Sequence, residues 1–292
     1  MTKPLKIVVL AKQVPDTRNV GKDAMKEDGT VNRAALEAIY NPEDLNALEQ
    51  AIRIKEKYEG TTVTVLTMGP PRASDIIRES IFRGANDGIL LTDRAFAGSD
   101  TLATSYALSC AIRKINPDIV IAGRQAIDGD TAQVGPQVAE KLNFPQITYV
   151  ENVESIENGI VTIIRRIENG IEKVEAKYPL VLTINESAPV CRPRNARRVL
   201  KYRHSKTATE LQAESNDYIC DVRGCRPHLT ITEWGVADID AKAEELGMSG
   251  SPTKVKSIQN VVFQVKDSKI LTSSDNDVQD LMQELIANHT IG

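Results

Sequence analysis

The 292-residue chain is short of the side chains that most often do chemistry: it has three histidines, four cysteines and one tryptophan, and only 4% of its residues are aromatic. The histidines, His204, His228 and His289, all lie late in the chain, away from the segments that read as strand ends. No Ser/His/Asp or Cys/His nucleophile set stands out. Cys110 sits in an apolar helical run and reads as a small core residue. Cys220 and Cys225 are separated by four residues, wider than the two-residue gap of zinc knuckles and redox pairs, and no further Cys/His set completes a metal site. The glycine fingerprint GxGxxG and the P-loop are both absent. The N-terminal apolar run Ile7–Ala11 is too short for a signal-peptide core or a membrane span, so a cytoplasmic protein without membrane insertion is expected. A net charge of −4 gives no reason to expect nucleic acid as a partner. With so few aromatics, the core must rest on Val, Ile, Leu and Ala.

What is present is a strand–helix alternation. Lys6–Ala11, Thr61–Thr67, Gly88–Leu91 and Asp118–Ala122 are short apolar runs of the kind a parallel sheet buries on both faces. Between them, Pro42–Tyr58, Arg72–Arg83, Asp100–Ile115 and Thr131–Leu142 read as helices. In the first of these, Asn41 can cap, Pro42 suits the first turn, and Glu43 and Asp44 suit the positive end. The repetition argues for an α/β protein with a doubly wound, mostly parallel sheet. Ile160–Ile167 and Ile171–Ala176, flanking Glu168-Asn169-Gly170, form a hairpin pattern, and Leu180–Ile184 is another buried strand. Residues 1–190 are therefore expected to form the α/β domain. Residues 191–292, with a basic Arg192–His204 stretch, a polar 205–230 segment, a strand-like Val261–Val265 and a helix over Asp275–Ala287, lack the apolar residues for a core of their own. They read as an extended arm that packs on a partner.

Ligands of open α/β sheets bind outside the carboxyl ends of the strands. The loop after Asp118–Ala122 is the most informative such place: Gly123, Arg124, Gln125, Ala126, Ile127, Asp128, Gly129, Asp130, Thr131, Ala132, Gln133 and Val134. Gly123 and Gly129 permit close approach and unusual dihedrals. Asp130 or Thr131 can cap the next helix, whose amides attract a phosphate, and Arg124 offers a charge-assisted contact. Asp128 and Asp130 would repel a diphosphate unless they point away, bind a ribose or fix the loop. A plain strand–turn–helix connection has the same pattern. With no acid/base set in view, the chemistry is expected to be a cofactor's own.

At these loops the sequence resembles the beta subunit of electron-transfer flavoproteins, through Lys12-Gln13-Val14-Pro15-Asp16-Thr17, Asn41-Pro42-Glu43-Asp44, Met68-Gly69-Pro70, Gly123–Pro136 and Gly250-Ser251-Pro252-Thr253. The resemblance spans nearly the whole chain. It implies an adenine-nucleotide alpha-hydrolase-like fold without hydrolase activity, and a heterodimer with an alpha subunit that carries FAD. One branch of the family holds a structural AMP in the beta subunit. In the electron-bifurcating branch a second FAD lies there, takes hydride from NADH, and splits the electron pair. One electron goes through the alpha-subunit FAD to an acyl-CoA or related dehydrogenase, the other to ferredoxin or flavodoxin. Ala97–Tyr106 and Gly129–Gln133 resemble the bifurcating branch.

Carried over by position, the adenosine part would touch Leu10, Asn41, Asp44 and Met68, with Ala11 beside them. The phosphates would meet Gly123 to Val134. The flavin end would lie near Asp100, Thr101, Thr104 and Ser105, with Lys12 near the flavin or NADH. The alternative within the family is a non-bifurcating subunit with AMP. A more distant one is an ATP-binding stress or signalling protein of the same fold, against which the long C-terminal arm argues. Residues 205–230 look like added length, and Trp234 to Gly247 occupies the place of the family's partner-recognition loop, with Ile239 as a candidate exposed anchor.

Overall fold

Strands that carry apolar side chains on both faces demand cover on both faces. The computed structural model describes residues 4–16, 37–213, 227–253, 270–272 and 274–287. In chain order its strands are β1 (Lys6–Leu10), β2 (Gln13–Pro15), β3 (Ala38–Tyr40), β4 (Thr62–Met68), β5 (Asp87–Leu91), β6 (Ile119–Gly123), β7 (Gln146–Glu157), β8 (Ile160–Ile167), β9 (Gly170–Lys177), β10 (Leu180–Ile184) and β11 (Thr232–Trp234). The helices are α1 (Pro42–Lys57), α2 (Ser74–Arg83), α3 (Thr101–Ile115), α4 (Val134–Leu142), α5 (Ala196–Tyr202), α6 (Ala208–Ala213) and α7 (Asp275–Ala287). Nine strands form one sheet in the order β11-β5-β4-β1-β6-β10-β7-β8-β9, and β2 pairs with β3 alone. The sheet is parallel from β11 to β7, and β8 and β9 continue it antiparallel.

Alternate residues of each parallel strand serve opposite layers. Ile7 and Val9 of β1, with Val63, Val65, Ile119, Ile121, Leu180 and Leu182, pack with Leu48 and Ile52 of α1. Val8 and Leu10, with Leu66, Val120 and Val181, pack with Leu108 and Ile112 of α3 and Val138 of α4. The α/β architecture with a mostly parallel sheet is thus the one expected. The hairpin expected over residues 160–176 is present as β8 and β9, and a second one, β7 with β8, precedes it. Asn158 and Gly159, both left-handed at φ 50 and 81, join β7 to β8, as a tight two-residue turn between right-twisted strands requires. Ile167 pairs with Gly170 across the next turn.

Several local expectations fail. Asn41 does not cap α1 with its side chain, because both ends of its amide are committed to the loop after β6. The helix expected from Thr131 begins at Val134, and Gln133 precedes it without a side-chain cap. Asp130 and Ala132 are left-handed, at φ 47 and 52, which turns the chain before the helix can start. Neither Asp130 nor Thr131 therefore caps α4. β7 is a twelve-residue strand with no clean apolar alternation. Ile239 is not an exposed anchor: it is 4% exposed and packed among the apolar residues beneath α3. The expected Val261–Val265 strand, Cys220, Cys225 and His289 lie outside the described residues.

Candidate functional site

β1 lies between β4 and β6, and the order of connection reverses there: the chain leaves β1 for β4 on one side and reaches β6 on the other. Such a reversal opens a crevice at the carboxyl ends of the strands. A cavity of about 430 Å³ occupies it. Eighteen of the 22 residues singled out from the sequence line this cleft; Asn41, Ser105, Ile127 and Asp128 stand outside the lining. Its floor is apolar: Leu10, Leu66, Phe96, Leu108 and Ala122. Leu66, Phe96, Leu108 and Ala122 were not foreseen, because in sequence they are indistinguishable from core. Gly98, Ser99 and Gly135 also line it; they adjoin the segments singled out but carry no signal of their own.

Two helices point their N-termini at the cleft. At α3, the Asp100 carboxylate accepts the amides of Leu102 (2.9 Å) and Ala103 (3.0 Å) on one oxygen and of Thr253 (3.0 Å) on the other. Its own amide donates to Ser251 Oγ at 2.8 Å. Burial opposes ionisation of Asp100, but the amides of Ala103, Thr253 and Leu102 outweigh it and hold the carboxyl below the ordinary range. Thr101 Oγ1 donates to Gln133 Oε1 (2.8 Å), bridging the two helix starts. Ser105 is fully buried and donates to the Leu102 carbonyl at 2.8 Å, with Gln137 Oε1 at 3.0 Å. At α4, by contrast, no side chain caps the helix. Among the described residues the amides of Thr131, Ala132 and Gln133 donate to no group of the chain.

The loop between β6 and α4 is held from behind. Asn41 Nδ2 donates to the Gln125 carbonyl (2.9 Å) and Asn41 Oδ1 accepts from the Ile127 amide (3.2 Å). Glu43 accepts from the Gln125 amide (2.7 Å) and pairs with Arg124 at 3.2 Å. Asp44 accepts from the amides of Lys12 (2.9 Å) and Gly123 (3.0 Å), tying the end of β1 to the end of β6. Burial pushes the Asp44 carboxyl up to about 7, against the pull of those amides and of Asn41. Burial also raises Glu43, opposed by the Gln125 amide and Arg124. A Cβ on Gly123 would stand 2.3 Å from Asp44 Oδ1, so the close approach that glycine permits here is by Asp44. Gly129 is not left-handed; Asp130 and Ala132 carry the unusual dihedrals instead.

The two loop acids are placed differently. Lys12 Nζ lies 2.8 Å from both carboxylate oxygens of Asp128, which ties the end of β1 to the loop. Asp130 lines the cleft and accepts from Gln125 Nε2 at 3.2 Å. Arg124 lies over the Tyr149 ring, 5.4 Å from its centroid. No described helix is long and apolar enough to cross a membrane.

Residues 28–207 match the family described as an electron transfer flavoprotein domain. An electron transfer flavoprotein subunit beta from Thermoanaerobacterium thermosaccharolyticum is 42% identical over 288 residues, covering 98% of this chain and 100% of the relative. A subunit of the caffeyl-CoA reductase–Etf complex of Acetobacterium woodii is 42% identical over 252 residues, 86% of each chain. The acryloyl-CoA reductase electron transfer subunit gamma of Anaerotignum propionicum is 50% identical over 182 residues, 61% of this chain and 67% of the relative.

Proposed function

The chain belongs to the electron transfer flavoprotein family as a beta subunit, and from that premise we propose that its cleft binds FAD and that NADH is the electron donor there. When bound, FAD supplies the hydride-accepting and electron-transferring chemistry. The chain supplies position and surroundings. The observation that carries the reading is the unsatisfied row of amides at Thr131, Ala132 and Gln133 before uncapped α4, facing a cleft that continues to Asp100, Thr101 and Thr104. A helix start of this kind favours a phosphate, and the residues fit a phosphate-bearing nucleotide. Leu10, Ala11, Asp44 and Met68 would hold the adenosine part. The apolar floor excludes water and strengthens the electrostatic contacts above it. Asp100, Thr101 and Thr104 would line the flavin end, with Lys12 near it. No acid or base of the chain is required for hydride transfer.

In this reading the subunit works as a heterodimer with an FAD-carrying alpha subunit. It passes electrons through that subunit to an acyl-CoA or related dehydrogenase, and on a second branch to ferredoxin or flavodoxin. Two relatives whose names join them to caffeyl-CoA and acryloyl-CoA reductases support the dehydrogenase class. Residues 191–292 would supply the partner-facing arm. Helix α7 carries Val278, Met282 and Ile286, 51%, 45% and 55% exposed among the described residues, an apolar side suited to such packing.

The test is extraction of nucleotides from the co-expressed heterodimer. Two FAD and no AMP per dimer is the expected result. One FAD and one AMP would instead make the beta site structural and move the redox role to the alpha subunit.

A further inference from the structure

The first turn of α1 meets the cleft loop in a regular way. Counting backward from Asp44 through Glu43 to Asn41, the side chains accept the amides of Gly123, Gln125 and Ile127, every second residue of the segment leaving β6. Asn41 Nδ2 also donates to the Gln125 carbonyl, and the second oxygen of Asp44 accepts from the amide of Lys12, just after β1. These three side chains are nearly or fully buried. Asn41 and Glu43 do not line the cleft, and Asp44, which does, has each carboxylate oxygen on a backbone amide. On one side the segment is held by β10, where the Arg124 amide donates to the Ile184 carbonyl at 2.9 Å; on the other it has no sheet partner and is held by these side chains. Immediately beyond it the chain makes two left-handed turns, at Asp130 and Ala132, and presents the open amides before α4.

We propose that Asn41, Glu43 and Asp44 are positioning residues: they clamp the 123–127 backbone so that the amide cradle at 131–133 is preformed for the phosphates of the nucleotide. This rests on the reading of the cleft as a nucleotide site. It assigns Asn41 and Asp44 a role through the loop, which for Asp44 adds to its place beside the adenosine part. Preorganisation of this kind raises affinity by removing the ordering cost from the binding step.

The decisive substitution is Asp44→Asn. It keeps the shape but turns an N–H₂ toward one of the two amides, so that one bond is lost. Glu43→Ala removes the acceptor for Gln125 on a helix turn that tolerates alanine. Glu43→Gln restores an acceptor without the charge. Each is made in the heterodimer with its alpha subunit. Two quantities are read: the affinity of the beta site for FAD or AMP after nucleotide removal, and amide hydrogen exchange of the 123–133 segment in the nucleotide-free complex. Asp44→Asn and Glu43→Ala are expected to weaken nucleotide binding about tenfold, with faster exchange confined to that segment, while Glu43→Gln stays within about twofold of the unaltered protein. Faster exchange with unchanged affinity would overturn the proposal, since the clamp would then be structural only. Unchanged exchange would overturn it as well. An unaltered complex that binds neither FAD nor AMP would instead remove the nucleotide reading itself, and this inference with it.

Discussion

The helices α3 and α4 start side by side at the mouth of one cleft, yet one is closed by its own chain and the other is open. Asp100 satisfies two amides of α3 and a third from Thr253, and Ser251 takes the amide of Asp100 itself. α4 has nothing comparable. Every helix begins with amides that need an acceptor, supplied by a side chain, water or a ligand. The closed start therefore serves the fold, tying the 247–253 segment to α3. The open start is where a bound anion can contribute most. An exchange of these roles tests the comparison most directly.

The largest effect is expected from removing the closed cap. Asp100→Ala should cost about 2 kcal/mol, the upper end for a helix cap, since three amides lose their acceptor at once. In a chain of this size that is a fall in Tm of about 4–8 °C, measured by thermal unfolding of the heterodimer. If Tm is unchanged, α3 is held by its packing alone and the contrast between the two helices is not energetic.

Adding a cap to the open helix should act in opposite directions on stability and binding. Gln133→Asp gives α4 an N-cap acceptor and places a negative charge at the site proposed for phosphate. The nucleotide-free protein should gain about 1 kcal/mol, while nucleotide affinity falls about tenfold, a net loss of about 1.4 kcal/mol in binding. Thermal unfolding with and without nucleotide, together with a binding titration, reads both. Equal or tighter binding would place the phosphates elsewhere in the cleft.

How much of this was legible in the sequence follows the same physics. β1, β4, β5, β6 and β10 could be read because strands buried on both faces are continuous apolar runs. The β8–β9 hairpin could be read because Asn169-Gly170 stands between two alternating apolar runs. β7 could not, because its Tyr149, Asn152 and Glu154 break the alternation while neighbours on both sides supply the pairing. β11 is three residues long, and its place beside β5 is set by tertiary packing of Ile231 and Trp234. At the site, the loop 123–134 was visible from its glycines and polar residues. The clamp was not, because Asn41 and Asp44 read equally well as helix-start residues. Only the fold shows that they face the backbone 80 residues further on. Ile239 failed for the opposite reason: an isolated Ile in a polar segment looks exposed until α3 is placed over it.

The smallest effect is a pH contrast between two carboxylates of the same cleft. Asp100 has a folded pKa below its ordinary value. Its contribution is therefore full above the unfolded value, about 3.9, and is lost as pH falls through the folded one. Asp44 is the reverse. Its carboxyl is pushed up to about 7 by burial, so folding takes up a proton, and its contribution declines as pH rises from about 4 toward that value. Hydrogen exchange followed as a function of pH should show residues 100–105 losing protection only in acid. The start of α4, which has no titrating cap, should not follow. Tm should fall between about pH 4 and pH 7, and Asp44→Asn should flatten that slope because the amide does not titrate. A slope that survives the substitution would assign the proton uptake to another buried acid, with Glu43, also raised by burial, the next to replace.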